Sequence, residues 1–299
     1  MRDAGGLYCG PVVDAHHHLW DLSLGRHPWL KPAAGGDSEL AGDHIPADYA
    51  RAAAGHNVVA TVHVEAGWDA DDPFGEIAWL DSLDKPHGIA ARYVAHARLA
   101  DPGVEAVLDR HASHPRIAGI REIVSWHPDP AKSASARNDR MDDPAWRRGL
   151  AALGRLGLSF DLLISPFQLA DALRLAGDFP DIVFVLNHCG SPMDRDPDGM
   201  SRWRHGLKAL AAAPNVALKI SDLVAYDPSP TLATLGDVVR TCLDCFGTGR
   251  AMLASDHPVE ALHASFRETY GAFKFILADL TDDESIALFS GNALRFYKF

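Results

Sequence analysis

The chain is predicted to fold as one (β/α)8 TIM barrel, and three observations predict it. Its 299 residues are 47% hydrophobic, enough for one large core in a single domain spanning 1–299. Strand-like and helix-like segments alternate from end to end, and parallel strands require crossover helices. The residues able to do chemistry stand at the ends of strand-like segments, where such barrels place their active sites.

The first strand opens at Val12-Val13 and runs into Asp14-Ala15-His16-His17-His18. Residues i and i+2 of a strand share a face, so His16 and His18 project together. A long insert follows from Leu19 to Asp43, with Trp20, His27, Pro28, Trp29 and Pro32; its Gly and Pro content marks a loop, and loops this long are usually functional. Pro46 to Ala54 reads as a short helix with Pro46 near its first turn.

Val58 to Glu65 is the second strand, and a helix opens at Asp72-Pro73 and runs through Leu83. Ile89 to Ala97 is the third, followed by a helix from Asp101-Pro102 to about Ser113. Ile117 to Val124 is the fourth, followed after a polar loop by a helix from Pro144 to about Leu156. Leu158 to Ile164 is the fifth, with a helix from Pro166 to Ala176. Ile182 to Leu186 is the sixth, with a helix from about Gly199 to Ala212. Asn215 to Ser221 is the seventh, with a helix from Thr231 to Phe246. Ala251 to Ala254 is the eighth, and two helices close the chain, His263 to Ala278 and Asp282 to about Phe296.

Composition removes several functions. Net charge is −12 with no basic patch, so no nucleic-acid partner is expected. No apolar run reaches the length of a membrane span, and the N-terminus lacks the apolar core of a signal peptide. Cys9, Cys189, Cys242 and Cys245 form no disulfide framework, which fits a cytoplasmic protein. Cys242 and Cys245 make a C-x-x-C inside an apolar helical run, where a structural role is expected. The expected partner is a small-molecule substrate, and a homo-oligomer is left open.

Strand one ends in His16 and His18, strand six in His188 and strand eight in Asp256. Three imidazoles and a carboxylate at one barrel mouth make a site for zinc or a similar divalent ion. Each has a bland alternative: a buried histidine, a turn cap, a turn former.

Asp14 to Trp20 resembles the opening motif of the amidohydrolase superfamily, in the amidohydrolase-2 branch that includes sugar-acid lactonases and pyrone-dicarboxylate lactonase. Gly119-Ile120-Arg121, Leu186 to Pro192, Lys219-Ile220-Ser221, Ser255 to Pro258 and Asn292 to Tyr297 follow in that branch's order. The resemblance spans the chain. It implies a metal or metal-like site at His16, His18, His188 and Asp256, with Asp256 as general base on water. Some members hydrolyse lactones without a metal. Two-metal members carry a bridging Lys or Glu on strand four and a His on strand five. Here strand five has no His, and strand four has Glu122 but no Lys. Glu122 alternates with Arg121, which is read as facing inward because Gly119 stands two residues before it. One metal, or none, is therefore expected.

Further substrate-binding candidates are Arg121, Lys219, Glu65, Trp20 and Trp29. His63 and Glu65 share a strand face, and if it is inward Glu65 reaches the mouth. Lys219 either neutralises an acidic substrate or forms an internal ion pair. Trp20 and Trp29 either wall the pocket or pack under the loop. Asp161, Gln168 and Arg195 are read as structural or solvated.

The expected reaction is opening of a lactone, a cyclic ester of a sugar acid or related carboxylate, which places the chain in carbohydrate metabolism. Asp256 takes the water proton and passes it to the leaving alkoxide, while His188 and the other imidazoles, or one divalent metal, polarise the carbonyl. Arg121 orients the substrate. The alternatives are a metal-dependent non-oxidative decarboxylase on the same scaffold and, more distantly, a non-catalytic module binding a small acid.

Overall fold

In a computed structural model, residues 1–30, 39–86 and 88–299 are described. Eight parallel strands form one sheet in sequence order: β1 Val12–His17, β2 Val58–Val64, β3 Arg92–His96, β4 Ile117–Arg121, β5 Ser159–Leu162, β6 Phe184–Leu186, β7 Val216–Ile220 and β8 Ala251–Leu253. The sheet closes through a parallel bridge between His17 and His257, with Asp256 N–H donating to the His16 carbonyl (2.9 Å) and His18 N–H to that of His257 (2.8 Å). The predicted (β/α)8 barrel is the observed fold.

Helices lie outside: α1 Pro46–Ala52, α2 Gly75–Ser82, α3 Val104–Ala112, α4 Pro144–Arg155, α5 Leu169–Asp178, α6 Pro197–Leu210, α7 Leu232–Phe246, α8 Phe266–Ile276, α9 Asp282–Ile286 and α10 Asn292–Phe296. Their sequences explain them. In α4 the Asp143 carboxylate caps Ala145 N–H and Pro144 takes the first turn, while Trp146, Leu150 and Leu153 fall on one buried face. Burying each of those side chains is worth about 1.5–3 kcal/mol. A π-turn at Ala287–Gly291 joins α9 to α10, so the predicted last helix is interrupted. Asn292 then donates to the carbonyls of Thr248 and Ala251, which docks the chain end under β8.

Some boundaries differ from expectation. The third strand begins at Arg92, not Ile89, because Gly88 and Ala90 take left-handed backbone in a turn. A Cβ at Gly88 would lie 2.1 Å from the Val59 carbonyl oxygen, so this turn requires glycine. The fifth strand stops at Leu162, and 3-10 turns, not α-helix, open at Pro166. The expected loop from Leu19 to Asp43 is a series of short 3-10 turns held at its base by the Trp20–His44 bridge; its residues 31–38, Pro32 among them, lie outside the described residues. No helix among the described residues is long and apolar enough to cross a membrane.

Candidate active site

The site is built on the ends of β1, β6 and β8. His16 Nε2 lies 3.2 Å from His18 Nε2, and both lie close to Asp256 Oδ1, at 3.4 and 3.3 Å. The His188 ring is centred 4.7 Å from that of His16. One donor atom each of His16, His188 and Asp256 falls within 4.8 Å of the others. All four side chains are buried.

Asp14 anchors this arrangement from below. Its carboxylate accepts from Ser255 N–H (2.8 Å) and Tyr49 O–H (2.7 Å), tying β1 to the turn that carries Asp256. Burial raises the Asp14 carboxyl above the ordinary carboxylate range, against the hydrogen bonds of Ser255 and Tyr49. Burial also pushes His16 and His188 well below the ordinary histidine range and His18 down to about 4, helped by nearby cations. The imidazoles are thus neutral, the form that binds metals and accepts hydrogen bonds. Asp256 is pushed up to about 8 by burial, opposed by Arg121 and Lys219. Its Oδ1 has no aligned hydrogen-bond partner among the described residues.

These donors fit a divalent ion in spacing. Four-coordinate bonds of about 2.0–2.1 Å separate ligand atoms by roughly 3.3–3.4 Å, close to the 3.2–3.4 Å found here. His18 Nδ1 donates to the Val64 carbonyl (2.8 Å), which leaves Nε2 bare toward the site. His188 Nδ1 is held at 2.9 Å by Ser221 Oγ. His16 carries one cost. Lys219 Nζ sits 3.3 Å from His16 Nδ1, and an ammonium only donates. The His16 proton is then on Nε2, and an ion binding there has to displace it.

A cavity of about 420 Å³ opens above this cluster, lined in part by His18, His188, Arg121, Asp256 and Trp29. Trp29 is half-exposed, its Nε1 donating to the Ala66 carbonyl at 2.7 Å. Arg121 faces inward as its alternation with Gly119 predicts, since a Cβ on Gly119 would meet Ser159 Oγ. Its Nε donates to Glu65 Oε1 and its Nη2 to the Glu65 carbonyl, both at 2.6 Å, while Nη1 reaches His16 Nε2 at 3.4 Å. Glu122 lies between helices and accepts from Leu99 N–H and Trp146 Nε1–H, both at 2.9 Å.

Three candidates are corrected. Lys219 is fully buried and donates to Asp161 at 2.6 Å, inside the barrel beneath His16, so it is an internal ion pair and does not line the cavity. Trp20 is also fully buried, edge-on to Trp29 and His44; it packs under the loop because its N–H is used by the Gly42 carbonyl. Glu65 is near the mouth but shares no strand face with His63. β2 ends at Val64, His63 points outward to Glu76 of α2 (3.1 Å), and Glu65 turns back onto Arg121.

Asp222 and Tyr226 also line the cavity and were not anticipated. The strand-end rule that found His188 and Asp256 would have found Asp222, two residues past the end of β7. Asp161, expected to be structural, is the acceptor for Lys219, Asn187 and Tyr297, so the closing Tyr297 plugs the barrel floor.

The family profile described as Amidohydrolase matches residues 13–299. The uncharacterized protein y4mH of Sinorhizobium fredii is 37% identical, over 96% of this chain and 98% of that protein. A protein of Burkholderia ambifaria named L-fucono-1,5-lactonase is 28% identical over 96% of this chain and 95% of its own. A crystal structure of an amidohydrolase from Burkholderia multivorans with bound zinc superposes with a TM-score of 0.80 at 26% identity, covering 97% of this chain and 100% of that one.

Proposed function

Since the chain belongs to the Amidohydrolase family, we propose that it is a hydrolase that opens the ring of an uncharged sugar-acid lactone. One observation carries the reading. A buried carboxylate oxygen, Asp256 Oδ1, stands without an aligned partner beside two neutral imidazoles at the floor of a substrate-sized cavity. That is the arrangement needed to take a proton from water next to a polarised carbonyl. The lactonase name of the 28% identical relative supports it.

Asp256 removes the proton from the attacking water. The ester carbonyl oxygen gains negative charge, which His16 Nε2–H and the Arg121 Nη1 group stabilise from below. A divalent ion such as zinc, held by His16, His18, His188 and Asp256, would supply the same polarisation as a Lewis acid. Trp29 gives the sugar ring an apolar wall, Arg121 offers a donor to its hydroxyls, and the Tyr226 oxygen, whose O–H faces Ser191, offers an acceptor.

The substrate is read as uncharged because the cations are already used. Arg121 is paired with Glu65 and Lys219 with Asp161. No unpaired Lys or Arg lines the cavity among the described residues, while the Asp256 base does. A free carboxylate on the substrate would meet like charge.

A panel of aldonolactones and of lactones bearing a free carboxylate, followed with a pH indicator, tests this on metal-stripped and metal-loaded protein. Hydrolysis of the aldonolactones is expected, with loss of about 10³-fold or more in Asp256→Asn. Release of carbon dioxide from a carboxylated substrate, with no lactone opened by either form, would put a decarboxylase in its place.

A further inference from the structure

We propose that Asp222 delivers the proton to the departing ring oxygen, an assignment that rests on the lactone-opening reading above. Asp222 lines the same cavity as Asp256 and His188. These three residues follow consecutive strands β6, β7 and β8, and all three take left-handed backbone, with φ of +52° at His188, +56° at Asp222 and +51° at Asp256. Non-glycine residues in this region are strained and persist where the surroundings enforce them, clustering at active sites. The strand-end geometry that presents the imidazole and the base to the mouth is repeated at Asp222.

Its surroundings make it an acid. Asp222 is 7% exposed with Glu260 and Tyr226 beside it, while its Oδ1 has no hydrogen-bond partner among the described residues. Two buried carboxyl groups facing each other do not ionise side by side, and burial raises both above the ordinary carboxylate range. Asp256 stands on the side of the cluster that carries Arg121 and Lys219, whereas Asp222 packs against a second carboxyl, Glu260, and burial raises it well above the ordinary carboxylate range. Two carboxyls with opposed environments divide into a base and an acid. The other groups at the mouth serve less well. Arg121 does not give up a proton, both Nδ1 atoms of His18 and His188 are engaged, and burial drives the Tyr226 phenol well above its ordinary range.

The step balances. The water oxygen bonds to the carbonyl carbon as Asp256 takes one water proton. The tetrahedral centre collapses, the bond from carbon to ring oxygen breaks, and its electron pair goes to that oxygen. Asp222 protonates it, giving the hydroxy acid. Asp222 then regains a proton from solvent through Glu260, which gives one to Asp222 and takes one from water at a second cavity of about 280 Å³ between α7 and α8, rimmed by the exposed Leu232 and His263. Asp256 releases its proton to water as product leaves.

The test is leaving-group dependence. Alkyl lactones expel a poor alkoxide that needs an acid; dihydrocoumarin expels a phenoxide that does not. With Asp222→Asn, kcat on an alkyl δ-lactone is expected to fall on the order of 100-fold or more, and on dihydrocoumarin by under about threefold. Equal loss on both overturns the assignment. Glu260→Gln leaves Asp222 in place and is expected to show the same preference at smaller size; it decides the matter if Asp222→Asn does not fold, and an equal loss there overturns the assignment too. Wild-type protein that opens neither lactone overturns the lactonase reading instead.

Discussion

Arg121 grips Glu65 twice, Nε to the carboxylate and Nη2 to the backbone carbonyl, both at 2.6 Å. The pair is buried, and Arg121 holds the Glu65 carboxyl below the ordinary range although burial works to raise it. Only Nη1 remains free to turn toward the catalytic cluster. The cation that would otherwise attract an acidic substrate is neutralised before substrate arrives.

Glu65→Gln should therefore shift selectivity. The ratio of kcat/KM for a carboxylate-bearing lactone over a neutral one is expected to rise about tenfold, as one Arg charge is freed. Stability should fall by about 3–5 kcal/mol, because a buried charge is left unpaired. Paired kinetics on the two substrates and a denaturant titration read both effects. An unchanged ratio would mean that Arg121 does not feel the substrate's charge.

Lys219 and Asp161 make the analogous pair in the barrel interior, with Tyr297 O–H and Asn187 also on Asp161. Lys219→Met should cost about 3–5 kcal/mol by stranding Asp161, and adding Asp161→Asn should recover most of it. A double-mutant cycle from chemical unfolding measures the coupling. Additive losses would show that the two residues do not stabilise each other.

Zinc binding should displace the proton that Lys219 forces onto His16 Nε2. Titration calorimetry in two buffers of different ionisation enthalpy is expected to show proton release and weaker binding at lower pH. Ser221→Ala, which removes the support of His188 Nδ1, should weaken zinc binding about 10–100-fold. A buffer-independent enthalpy would contradict the His16 tautomer.

His111 sits far from this chemistry, with Nε2 on the His96 carbonyl at 3.2 Å. Burial lowers it to about 4 from 6.5, opposed by that hydrogen bond. The unfolded chain takes up the proton below pH 6.5, and the folded chain only near pH 4. Its stability contribution is complete above pH 6.5 and is lost as pH falls toward 4, by up to about 3 kcal/mol. The drop in Tm between pH 7 and pH 4.5 should be smaller in His111→Gln than in the parent. Identical drops would place the acid sensitivity elsewhere.

The sequence by itself determined the barrel, the strand ends that bear chemistry, and the meeting of His16, His18, His188 and Asp256. Those follow because strands alternating with helices make a parallel sheet, the motifs at the strand ends resemble a barrel family across the whole chain, and a barrel gathers its strand ends at one mouth. Tertiary structure alone decided how the charges pair. Lys219 meets Asp161 across the barrel, and Glu65 turns back to Arg121 after its strand has ended. Neither partner is near its counterpart in the chain, and no periodicity encodes which buried cation reaches which carboxylate. Asp222 lay in between. Its place after β7 was legible, but its role depends on Glu260, which only the folded chain brings beside it.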